Sequence, residues 1–97
     1  MIQIEETEHF ARWLHALSDN LAKARIASRI DRLAAGNPGD VKPVGAGISE
    51  MRIDYGPGYR VYFVQRGRIV VILLCGGDKA SQVTDIARAK VLARDFC

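Results

Sequence analysis

Two runs of alternating side chains, at residues 48–54 and 59–65, and a third, apolar run at 69–74 follow one another with only short turns between them. Runs of this length and period, bounded by glycine and proline, read as strands joined by hairpins. The middle of the chain is therefore held to an antiparallel meander, and its apolar pattern sets the register. Met51 and Ile53 alternate with Glu50, Arg52 and Asp54, while Tyr59, Val61 and Phe63 alternate with Arg60, Tyr62 and Val64. Placing both apolar sets on the core face requires an odd loop, most simply Tyr55-Gly56-Pro57 with Asp54 opposite Gly58. Arg52 then stands directly across from Arg60. A two-residue turn at Arg66-Gly67 would pair Gln65 with Arg68, setting Leu73 across from Arg60 and Val71 across from Tyr62.

The flanks read as helices. Residues 2–5 alternate and suggest a short first strand. From Thr7, a capping residue, Phe10, Trp13, Leu14 and Leu17 recur at helical spacing. A second helix opens near Ser18 or Asp19, runs through Leu21, Ile26, Ile30 and Leu33, and ends at Gly36 with Pro38 just beyond. Residues 37–47, rich in Gly and Pro and without apolar periodicity, read as loop. A last helix, opened by Ser81 or Thr84, carries Val83, Ile86, Leu92 and Phe96. The expected order is β-α-α-β-β-β-α: one α+β domain over residues 1–97, its helices gathered on one side of a small antiparallel sheet.

A chain of 97 residues has room for one domain, and 48% hydrophobic with 26% charged residues is a globular composition. No basic stretch precedes an apolar run at the start, and the longest apolar run, 69–75, is too short to span a bilayer. Two cysteines, Cys75 and Cys97, imply a reducing compartment; the expected location is cytoplasmic, with no membrane partner. Cys75, within the apolar run, reads as a buried inert thiol. His9 and His15, six apart on one helix, point to different faces, so no metal or other cofactor is expected.

The chemistry left is that of arginine, lysine, tyrosine and a few carboxylates, which suits charge on phosphate. Of the formal charge of +3, residues 37–80 carry a surplus of two through Lys42, Arg52, Arg60, Arg66, Arg68 and Lys79; residues 1–36 are balanced. Arg66 and Arg68 flank Gly67 in a turn and read as solvating charges. Arg52 across from Arg60 is a repulsive pair on a sheet. Either Asp54 and Glu50 on the same face offset it, or a bound polyanion does, whose oxygens would suit the arginine fork. The same face carries Tyr62, an aromatic beside cations as in single-strand RNA binding. Val71 and Leu73 would add an exposed apolar strip, the mark of a protein partner. "GGDKAS" turns sharply off the last strand and puts Lys79 on the rim of this face; it lacks the first glycine of a Walker-type loop.

The combination of "MRI", "YGPGYRVYF" and "GGDK" followed by "DIARAK" resembles the HigB-like branch of the RelE/ParE superfamily of toxin–antitoxin toxins, a likeness that covers nearly the whole chain. The resemblance implies a RelE-type fold, neutralisation by a cognate helix-turn-helix antitoxin, and cleavage of messenger RNA on the ribosome. Carried over by position, Arg52, Arg60 and Lys79 would surround the scissile phosphate; Lys42 and Tyr62 are expected to join them in holding RNA. Tyr62 and Asp54 are the candidates for acid and base. Asp54 stands where RelE enzymes carry a second lysine, and Thr84, Asp85 and Ile86 occupy the region of their final-helix tyrosine. Val71 and Leu73 are the expected antitoxin strip. A ParE-like gyrase poison without catalysis, and an antitoxin-binding module without toxicity, are the alternatives.

Overall fold

The first two helices each begin where a side chain caps them. A computed structural model describes residues 2–96. In it the Thr7 hydroxyl accepts the Phe10 amide at 3.0 Å and opens α1 (Glu8–Ala16), which follows β1 (Gln3–Glu6). The same hydroxyl donates to the Leu74 carbonyl at 2.6 Å, so the cap also fastens α1 to the sheet. Asp19 opens α2 (Asn20–Ala34) by accepting the amides of Leu21 and Ala22. Gly36, at φ +89°, turns the chain away after α2, a conformation that glycine adopts without a Cβ clash.

Four more strands follow: β2 (Val41–Gly45), β3 (Ile48–Ile53), β4 (Tyr59–Arg66) and β5 (Val70–Gly77). A 3-10 turn (Lys79–Ser81) then leads into α3 (Gln82–Asp95). The described strands form one sheet in the order β1-β5-β4-β3-β2. β1 runs parallel to β5 and the other pairs are antiparallel, so the α+β class holds with a mixed sheet of five strands.

The β3–β4 register is the one the alternation requires, with Arg52 opposite Arg60 and Glu50 opposite Tyr62. Several expectations are corrected, the all-antiparallel sheet among them, because β1 joins β5 in parallel. Residues 41–45 are strand rather than loop: β2 is a sheet edge, where Pro43 costs no ladder hydrogen bond, and only Val41 and Val44 are half-buried. The β4–β5 hairpin is wider than a two-residue turn, pairing Arg66 with Val70, and the register shifts between Tyr62 and Phe63 so that Tyr62 meets Cys75 and Arg60 meets Gly77. Val71 and Leu73 therefore face α1 and α2, packed with Phe10, Ile26, Met51, Val61 and Phe63, and form no exposed strip. The helices also do not share one side. α3 covers the opposite face, where Ile48, Tyr62, Val64, Ile72, Leu74 and Cys75 pack with Ala89.

With both faces covered, the end of β5 has little room for side chains. A Cβ at Gly76 would collide with the Trp13 ring and one at Gly77 with the Asp85 carboxylate. Trp13 is itself confined between Phe10 and Tyr59, at ring separations of 5.7 and 6.3 Å. Gly76→Ala should therefore destabilise the protein by about 1–3 kcal/mol through overpacking. Urea denaturation measures this; an unchanged midpoint would mean that Trp13 is free to move aside.

Candidate functional site

The loop between β3 and β4, with Gly56 and Gly58 both at positive φ, folds back against the end of β5. The Lys79 amide donates to the Pro57 carbonyl at 3.4 Å, which brings the start of the 3-10 turn beside the hairpin loop. Gly58 lies between the two cations: a Cβ there would meet Arg60 Nη1 at 3.1 Å and Lys79 Cβ at 3.4 Å. Asp40, Arg52, Ile53, Asp54, Gly58, Arg60 and Lys79 thus line one open cleft of about 400 Å³.

Arg60 is held from both sides. Its Nη1 donates to the Gly58 carbonyl at 2.7 Å, and its Nε lies 3.5 Å from Glu50 Oε2. The arginine side chain is only 11% exposed and Glu50 is wholly buried. Glu50 Oε2 also accepts from the Tyr62 hydroxyl at 3.0 Å and from Gln82 Nε2 at 2.8 Å, gathering β3, β4 and the first residue of α3 around one oxygen. A buried carboxylate with a cation and two donors is tolerable where an isolated one is not.

Arg52 is more open, its side chain 41% exposed, and its Nη2 donates to Asp40 Oδ1 at 2.8 Å. The backbone repeats the link, with the Arg52 amide donating to the Asp40 carbonyl at 3.0 Å. The hydrogen bond from Arg52 holds the Asp40 carboxyl below its ordinary value, and the same bond raises the arginine's. Arg29, on α2, donates to the carbonyls of Arg52 and Pro38 and so clamps this corner from below.

Four of the residues singled out by sequence, Arg52, Asp54, Arg60 and Lys79, meet in the cleft. The other four do not. Lys42 is exposed on β2 opposite Glu50, one strand away from the cleft lining. Tyr62 is fully buried and cannot stack on a base; its hydroxyl supports Glu50, and burial, with that hydrogen bond, raises its pKa. Val71 and Leu73 belong to the core. The repulsion between Arg52 and Arg60 is offset by Asp40 and Glu50, while Asp54 is exposed on the cleft wall. Sequence reasoning missed Asp40, hidden in what read as loop, and Gln82; Glu50's position across from Tyr62 was legible in the register.

Cys75 is buried, donates to the Asp85 carbonyl at 3.4 Å and has its thiol pushed up to about 12 by burial, so it is inert. Cys97 lies outside the described residues. Among the described residues no cluster of three or more His, Cys, Asp or Glu side chains is arranged to hold a metal, and no helix is long and apolar enough to cross a membrane.

Removing Glu50 leaves the nearly buried Arg60 guanidinium without its charge partner, so Glu50→Ala should cost about 3–5 kcal/mol. Chemical denaturation gives the value, and a loss within that of an ordinary surface substitution would show the pair to be dispensable. The exposed Arg52–Asp40 pair is expected to show itself in pH dependence. A carboxyl whose folded pKa is depressed adds stability above its unfolded value and loses it as pH falls through the folded one. Asp40 should therefore titrate below 3.8 in a carboxyl-carbon NMR titration and return towards it in Arg52→Ala. An unmoved midpoint would remove Arg52 as the cause.

Comparison with known proteins gives two relations. The family described as Phage derived protein Gp49-like matches residues 12–95. An uncharacterized protein of Haemophilus influenzae strain Rd is 53% identical over 95 residues, 98% of this chain and 96% of its own length.

Proposed function

We infer, because the chain belongs to the Phage derived protein Gp49-like family, a toxin-like family of the RelE/HigB type, that it is the toxin of a type II toxin–antitoxin pair. Its activity in this reading is metal-independent, ribosome-dependent cleavage of messenger RNA, on a fold of the RelE/ParE kind. The observation that carries the reading is the meeting of Arg52, Arg60 and Lys79, from three separate stretches of chain, around one cleft that also bears an exposed carboxylate.

In the proposed mechanism the ribose 2′-hydroxyl attacks the adjacent phosphorus in line. Its proton passes to the Asp54 carboxylate. The phosphorus–5′-oxygen bond breaks and Lys79 protonates the leaving oxygen, which gives a 2′,3′-cyclic phosphate and a free 5′-hydroxyl. Arg52 and Arg60 hold the non-bridging oxygens as their charge rises, and preorganised donors of this kind supply much of the catalysis. Glu50, Tyr62 and Gln82 act through Arg60, fixing the position of its guanidinium. A cognate antitoxin of helix-turn-helix type neutralises the protein by covering the cleft.

Inducible expression of wild type and Arg60→Ala in bacteria, with 5′-end mapping of messenger RNA, tests this. New ends within translated regions for wild type and their loss in the variant are expected. Growth arrest with DNA-damage signalling and without new ends would replace the nuclease with a gyrase poison. No arrest would leave an antitoxin-binding module.

A further inference from the structure

The cleft just described holds few unmatched charges. Arg52 is paired with Asp40 and Arg60 with Glu50, and the remaining lining charges, Lys79 and Asp54, are of opposite sign. A single strand of RNA needs more positive charge than this to be held against physiological salt.

That charge lies next door. α2 carries Arg25, Ser28, Arg29 and Arg32 at spacings of three and four, one stripe along the helix beside its buried face. They line a second cleft of about 290 Å³, whose remaining walls are Ile53 and Asp54, the residues that also line the first. The two clefts therefore adjoin at the end of β3. Like charges three and four apart destabilise a helix. Burial, and with it the charge of Arg32, lowers the Arg29 pKa. Among the described residues, neither Arg25 nor Arg32 has a carboxylate within ion-pair distance. Arg25 is steadied instead by the Tyr55 ring, its guanidinium carbon 4.9 Å from the centroid, and Tyr55 is fixed by its hydroxyl on Asp19. Arg29 is spent on backbone carbonyls, so Arg25, Ser28 and Arg32 are the groups that face outward.

We propose that this α2 cleft is a second phosphate site, which takes the sugar-phosphate backbone of the same RNA strand a short distance from the bond held by Arg52, Arg60 and Lys79. It rests on the reading of RNA as substrate given above. The contact is to backbone alone: two arginine forks and a hydroxyl suit phosphate oxygens and leave the bases unread. Arg25 to Arg32 spans about 10 Å of helix, long enough for more than one phosphate. The site supplies affinity and direction, and the first cleft supplies chemistry.

The test is binding of a short fluorescent single-stranded oligoribonucleotide, 2′-O-methylated so that it cannot be cut, followed by anisotropy over a salt series. Wild type is compared with Arg25→Ala/Arg32→Ala and with Arg12→Ala/Arg68→Ala, which removes two exposed charges elsewhere. Thermal melting of each variant checks that it is folded. The α2 variant should bind more weakly at every salt concentration. The slope of log affinity against log salt should fall in magnitude by about 1.4, since each single-strand phosphate contact contributes about 0.7. The control should keep the wild-type slope. An unchanged slope in the α2 variant, or an equal drop in the control, would overturn the proposal. So would wild type that does not bind the probe, which would turn the stripe over to an acidic protein segment. Because the probe is uncleavable, a slope change without messenger cleavage in cells would sink the nuclease reading alone.

Discussion

The placing of Arg60, and with it the boundary of the candidate site, leans on one buried carboxylate. Glu50 lies at the centre of β3 with no exposure, and one of its oxygens receives the Tyr62 hydroxyl and the Gln82 amide and faces the Arg60 guanidinium. An unpaired carboxylate at that depth would be too costly to keep ionised. With these partners it becomes the joint between two layers, because Tyr62 and Arg60 belong to β4 and Gln82 begins α3. The joint also marks where α3 stops covering the sheet. On one side of it the face is Ile48, Val64, Ile72 and Leu74 under the helix; on the other it is Arg52 and Arg60 beside the cleft. The same helix start that completes the apolar packing thus limits it, and leaves the cations open.

The close approach at the end of β5 serves the same boundary. Gly76 accepts the Trp13 ring on one face and Gly77 accepts Asp85 and Ser81 on the other. Ser81 in turn donates to the Asp85 carboxylate, and Asp78 caps the turn between them. The strand can run between α1 and α3 at this point only as bare backbone. The sharp exit that follows puts Lys79 against the hairpin loop of β3 and β4, where the Pro57 carbonyl receives its amide. Two glycines that look like flexible linker are thus a packing requirement whose product is the position of a cation.

What could be read from the sequence followed from period. The β3–β4 register was legible because Met51, Ile53, Val61 and Phe63 are apolar on one side only, so a slip of one residue would bury arginines. Thr7 was legible as a cap, and Ser18 or Asp19 as the start of the next helix, because a short polar side chain before an apolar stripe has few other uses; the structure selects Asp19. β5 was not legible, since a run such as "IVVILLC" is apolar on both faces and fixes no register, and the shift at Tyr62 leaves no signature in residue type. The same run did carry an unused message, that its strand is covered on both sides. β2 was obscured by Pro43 and Gly45, which an edge strand can hold. With it went Asp40, so half of the charge balance around Arg52 was invisible. Arg52, Arg60 and Lys79 were singled out because register and resemblance agreed on them, and they line one cleft, whereas the burial of Tyr62 was missed because exposure cannot be told from strand parity once a helix covers the face.

The balance of charge in the first cleft has a consequence for how an anion would enter. A phosphate reaching Arg52 meets a guanidinium already bonded to Asp40, and one reaching Arg60 meets a guanidinium already facing Glu50. Binding there is an exchange of carboxylate for phosphate, and the net gain is smaller than the number of cations suggests. Arg52 can make that exchange, because its partner is exposed and free to turn to water; Arg60 keeps Glu50, which is buried and fixed by Tyr62 and Gln82, and would meet an anion with its remaining N–H groups. The two arginines therefore differ in kind. Arg60 is a preorganised donor whose cost was met on folding, suited to charge that appears during a reaction, and Arg52 is an adjustable one, suited to holding a substrate. A site divided in this way has little affinity of its own to spare, which is why the unmatched arginines of α2, set against the same wall at Ile53 and Asp54, matter to any account of how a polyanion stays in place.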